Sequence, residues 1–227
     1  MGTIPRTPSA YQYPLLIKQL LLSPLATAPD QEITYQGKVR YNYRTLNSRI
    51  AKLANVLSQY GINSGKTVAV MDWDSHRYLE AFFAVPMMGA ILQTVNVRLS
   101  PDQILYTLNH AEADLLIVNN EFFAVLEEIA PKLKTVKTII AIKEDETNLP
   151  IPENCLGEFE DLMAKASEKF EFPDFDENTQ ATTFYTTGTT GDPKGVYFSH
   201  RQLVLHTLGC ALRRRRNLRK RWKRREN

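Results

Sequence analysis

Apolar residues recur at helical spacing from Tyr11 to Leu25, and then the period changes. Ile33–Tyr35 and Val39–Tyr43 alternate on either side of Gln36-Gly37-Lys38, the pattern of a hairpin. Thr45 opens a helix whose stripe is Leu46, Ile50, Leu53, Leu57 and Tyr60, and Gly61 falls where a left-handed C′ residue would close it. After Asn63-Ser64-Gly65 the spacing predicts a strand over Thr67–Met71 and a helix from about Ser75 to Met88. Gly89 ends that helix, and Ala90–Val95 reads as a strand. Ser100-Pro101-Asp102-Gln103 has Ser as N-cap, Pro at N1 and Gln at N3, a capping box for a helix running to about His110. Leu115–Val118 and Thr138–Ile142 read as strands around a helix at Glu121–Ala130.

Strands alternating with helices of this length imply parallel pairing through right-handed crossovers. The fold class is therefore α/β, a doubly wound, mostly parallel sheet with helices on both faces. Residues 143–157 are polar and contain Pro150 and Pro152, which suggests a surface excursion. Phe159–Ala166 follows as a short helix and Ala181–Thr186 as a strand. No internal repeat is present.

Residues 184–200 read FYTTGTTGDPKGVYFSH. A strand ends in Thr186-Thr187-Gly188-Thr189-Thr190-Gly191, turns at Asp192-Pro193, and resumes as Val196–Phe198 after Lys194-Gly195. Gly188 and Gly191 let backbone N–H groups approach an anion, the four threonines add hydroxyl donors, and Lys194 is a mobile point charge. These are groups that a triphosphate needs. The bland alternative is a Gly/Thr-rich turn with a surface lysine. A Walker A loop is excluded, because Pro precedes Lys194, Gly follows it, and the next element is a strand.

The segment resembles the signature of the AMP-binding, adenylate-forming superfamily at Tyr185, Thr186, Thr187, Gly188, Thr189, Thr190, Gly191, Pro193, Lys194 and Gly195. Within it, residues 68–119 and Val196–Arg201 are similar to bacterial medium- and long-chain fatty-acyl-CoA ligases, and the likeness spans residue 11 to about 209. The resemblance implies activation of a fatty acid by ATP and Mg²⁺ to an acyl-adenylate, then transfer to coenzyme A. It assigns the ATP phosphates to Thr186, Thr187, Gly188, Thr189, Thr190, Gly191 and Lys194, and gives His200 a place near the acyl group. For His200 the alternative is packing at a helix entry, since Ser199-His200-Arg201-Gln202 is itself a capping box. The family's downstream nucleotide and Mg²⁺ motifs have no match here. The expectation is a partial AMP-binding domain over residues 1–212, with no catalytic or metal-binding residue assigned and no turnover.

Charge changes the picture only at the end of the chain. Ten of the 28 Lys and Arg, and one of the 25 Asp and Glu, lie in residues 213–227, so the rest carries about −6. Residues 213–227 read as a basic, disordered tail suited to non-specific contact with nucleic acid, or as a stretch foreign to the family, produced by a shifted frame. A second function follows from it: a non-catalytic binding protein whose tail meets an acidic partner. Cys155 and Cys210 form no paired motif, which argues against a disulfide framework or a zinc site. No apolar run reaches the roughly 20 residues of a transmembrane segment, and a cytoplasmic location is expected. His76, His110 and His206 are isolated and read as surface or helix-end residues, and Asp72 and Asp74 as caps at a strand end.

Overall fold

The computed structural model describes residues 2, 4, 5, 7–144, 154–186 and 191–223, with backbone alone from 215 onward. The first paired strands, β1 (Glu32–Tyr35) and β2 (Val39–Asn42), join through Gln36-Gly37-Lys38, the first two at positive φ. Lys38 N–H donates to the Tyr35 carbonyl at 3.0 Å, so the two left-handed residues are the centre of a tight turn whose twist matches that of the strands. Asn42 then caps α2 (Tyr43–Gln59) by accepting from the Thr45 N–H at 3.0 Å, so this helix starts two residues before the sequence reading puts it. Ahead of the hairpin, α1 covers only Gln19–Thr27. The apolar spacing at residues 11–18 is not helical, because tertiary bonds hold it: Leu15 N–H donates to Glu177, and Ile17 N–H to His200.

The remaining strands are β3 (Thr67–Met71), β4 (Ile91–Thr94), β5 (Leu115–Asn119), β6 (Thr138–Ile142), β7 (Cys155–Glu158), β8 (Gln180–Thr186) and β9 (Lys194–Ser199). They form one sheet in the order β7-β6-β5-β3-β4-β8-β9, parallel throughout except for β9. The intervening helices are α3 (His76–Met87), α4 (Pro101–His110), α5 (Phe123–Ile129) and α6 (Phe159–Lys165), and α7 (His200–Lys223) follows β9. Alternate residues of the central strands serve opposite cores. Val68, Val70, Leu115, Ile117, Ile140 and Ile142 pack under α1, α2, α3 and α6. Ala69, Met71, Leu116, Val118, Ile139 and Ala141 pack under α4 and α5. The doubly wound architecture read from the sequence is the one observed.

The structure departs from the sequence reading in two places. β7 occupies part of the segment read as a surface excursion; Gly157, at φ +151°, breaks its alternation, and Ile139/Ile140 shift register against it. Residues 145–153 of that excursion lie outside the described residues. The tail expected to be disordered from residue 213 continues α7 as helix to Lys223. β8 has neighbours on both sides, so the loop's first arm is an interior strand, whereas its second arm, β9, lies at one edge of the sheet. Among the described residues no helix is long and apolar enough to cross a membrane.

Candidate functional site

The antiparallel register of β8 with β9 follows from the sequence: two β-rich runs flank a Gly/Asp/Pro turn too short for a crossover. Thr186 pairs with Lys194 and Tyr185 with Gly195, which puts both arms of the loop at the carboxyl end of β8. Thr187, Gly188, Thr189 and Thr190 lie outside the described residues. Gly191 sits at φ +93° with open space where a Cβ would stand. Thr186 and Lys194 are both exposed, and among the described residues Lys194 makes no ion pair. The described ends of the loop thus offer an exposed ammonium and an unobstructed glycine backbone, with a Thr186 hydroxyl that spans to the Lys194 carbonyl at 3.5 Å. That set fits an oxyanion.

The two faces of the hairpin are built differently. On one, Phe184 and Phe198 stack at 5.6 Å. On the other, Tyr185 is buried and its hydroxyl lies 2.8 Å from Nδ1 of His110, the last residue of α4. A Cβ at Gly195 would stand 2.9 Å from the Tyr197 hydroxyl and 3.4 Å from Tyr185 Cε1, so the motif's last glycine makes room for tyrosines.

In doubly wound sheets ligands commonly sit where crossovers depart to opposite faces, here between β3 and β5. That crevice is filled from within. Asp72 accepts from Asn119 Nδ2 at 2.8 Å and from the Ser75 hydroxyl, which also caps α3. Trp73 Nε1 donates to Glu121 at 2.8 Å, and its ring lies 5.2 Å from Phe122. Ser75, not Asp72 or Asp74, is therefore the N-cap of α3, and Asp72 holds that cap and Asn119 through their side chains.

His200 is fully buried. Its Nδ1 accepts from Ile17 N–H at 3.2 Å, its ring meets Phe175 edge-on at 4.9 Å, and Ser199 and Gln202 complete the capping box of α7. Burial lowers its pKa to about 4, so the imidazole is neutral, and accepting at Nδ1 places its proton on Nε2. These are the contacts of helix-entry packing.

His76, read as a surface or helix-end residue, does begin α3 but is only 6% exposed. It borders a charge network that sequence spacing could not reveal, because its members come from distant segments. Arg49 reaches Glu80 at 2.6 and 3.0 Å and Glu160 at 2.9 and 3.0 Å. Arg77 reaches Glu160 at 2.9 Å and Glu144 at 3.1 Å, and Tyr41 donates to Glu80 at 3.2 Å. Burial pushes the Glu80 carboxyl up against the pull of Arg49. Burial acts the same way on Glu160, but His76, Arg49 and Arg77 outweigh it and hold that carboxyl well below its usual range. Among the described residues no group of three or more His, Cys, Asp or Glu could hold a metal ion.

A profile of the AMP-binding enzyme family matches residues 23–224. A 3-methylmercaptopropionyl-CoA ligase of Ruegeria pomeroyi is 33% identical over 204 residues, covering 88% of this chain and 38% of the relative. A long-chain-fatty-acid–CoA ligase of Thermus thermophilus is 39% identical over 179 residues, covering 78% and 31%. The fold matches that of an anthranilate CoA ligase crystallised with anthranoyl-AMP at TM-score 0.74 and 24% identity, covering 83% of this chain and 36% of that one. The chain spans about a third of the length of these relatives.

Proposed function

Because the chain belongs to the AMP-binding enzyme family, we propose that its β8–β9 loop holds the phosphates of ATP in an acyl-CoA ligase reaction that proceeds through an acyl-adenylate. One observation carries the reading: Lys194, exposed opposite Thr186, makes no ion pair among the described residues, and a Cβ at Gly191 would stand in open space. Thr187, Gly188, Thr189 and Thr190 complete the loop. A lysine ammonium stabilises a polyphosphate as a mobile charge, and threonine hydroxyls and glycine N–H groups as donors.

The acid is a fatty acid by this reading, Mg²⁺ enters with the nucleotide, and coenzyme A accepts the acyl group. When bound, ATP supplies the leaving pyrophosphate. The chain's own residues orient the phosphates and offset their charge, where positioning accounts for most of the acceleration. An acyl contact at His200 would have to be made through its buried Nε2, for which the described residues provide no partner.

The test is a titration with tripolyphosphate, ATP and AMP. We expect tripolyphosphate and ATP to bind alike, AMP at least tenfold more weakly, and Lys194→Ala to weaken the first two by roughly tenfold, the worth of a charge-assisted hydrogen bond. AMP binding as tightly as ATP would overturn the reading.

A further inference from the structure

The phosphate loop is carried by a hairpin whose outer strand, β9, has a neighbour on one side only. Something besides backbone pairing must fix the angle at which the loop leaves the sheet, and the Phe184/Phe198 stack does so on one face alone. On the other face the last buried side chain before the loop is Tyr185, 7% exposed. Its hydroxyl and His110 Nδ1 are 2.8 Å apart, and the two rings meet edge-on at 5.7 Å and 89°. His110 is itself braced by Tyr106, one turn earlier on α4, at 5.5 Å. α4 begins in a complete capping box, Ser100 with Gln103, and is pinned by Gln93 Nε2 donating to the Thr107 carbonyl at 3.0 Å. Across the hairpin Gly195 is the partner of Tyr185 and leaves the space into which Tyr197 leans.

We infer that His110 and Tyr185 form a positioning pair that ties the loop-bearing end of β8 to the rigid end of α4, with Gly195 as the gap that admits it. The inference rests on the phosphate reading of the loop but can fail separately. The pair touches no ligand; it acts by holding Thr186 and Lys194 at a fixed spacing. Either ring nitrogen tautomer serves, since the tyrosine hydroxyl can donate to a bare Nδ1 or accept from a protonated one.

The experiment uses the whole chain with Tyr185→Phe, His110→Ala, the double variant and His110→Gln. Amide hydrogen exchange is read at 185–186 and 194–195, against β3 and β5 as internal references. Each single variant should exchange roughly fivefold faster at those four amides, the effect of losing one neutral hydrogen bond, with the references unchanged. The double variant should be no faster than either single, because both remove one interaction. His110→Gln should restore slow exchange. Tripolyphosphate binding should weaken in step with the exchange. Wild-type exchange in both single variants, or additive effects in the double, would overturn the pair. A wild-type chain that does not bind tripolyphosphate would instead sink the phosphate reading, and the exchange data would still decide the pair.

Discussion

At the scale of single residues, His200 shows how burial becomes a pH response. Its pKa is about 4 in the folded chain, through burial, against an ordinary 6.5. A histidine depressed in this way contributes stability that is fully present above pH 6.5 and is lost as pH falls toward 4. Between pH 7 and pH 5 the folded chain should lose about 2 kcal/mol from this group alone, read as a lower urea midpoint. His200→Gln, which can still accept from Ile17 N–H, should flatten that dependence. An equally steep profile in the variant would assign the effect to other groups. The sequence marked His200 because it follows a strand and opens a capped helix. Its N-terminal partner Ile17 lies 183 positions away and left no local signal.

At the scale of elements, legibility followed locality. The α4 capping box and the β3 and β6 bounds come out as read, since each is specified within a few residues. β7 escaped because Cys-Leu-Gly-Glu has no alternation and is a strand only through pairing with β6. The glycines, threonines and Lys194 of the proposed phosphate loop stand together in one motif, whereas His110, which meets Tyr185, comes from another element and left no signal beside it. The Arg49 network is the strongest non-local case, joining α2, α3, α6 and the β1–β2 hairpin. Glu80 is fully buried, so Arg49→Ala strands its carboxylate. The expected cost is about 3 kcal/mol at neutral pH, the usual penalty for breaking a buried pair from one side. With Arg49 gone, the raised Glu80 pKa rises further, and the folded variant takes up a proton that the unfolded chain does not yet hold. Its deficit should therefore shrink as pH falls to 5. Chemical denaturation at the two pH values decides it; a deficit equal at both would mean that Glu80 does not titrate in response.

At the scale of the molecule, the sheet divides into a centre and two margins. β3, β5 and β6 are paired on both sides and sandwiched between two cores, whereas β9 is paired on one side and half-exposed. Hydrogen exchange should be slowest in β3 and β5, intermediate in β8 and fastest in β9. Protection in β9 equal to that in β3 would mean its open edge is covered in solution, by a second copy for instance. The strand order also has a history. β4 pairs with β3 as soon as both exist, but its other neighbour is β8, about 90 residues later in the chain. At the usual pace of synthesis, about 5–20 residues per second, β4 waits roughly 4–18 s on the ribosome with Leu92, Gln93 and Thr94 presenting unsatisfied backbone groups. The first arm of the β8–β9 hairpin is thus the piece that covers this flank of the nascent sheet, and a stall in translation between β7 and β8 would prolong the interval in which that open flank can capture the wrong strand.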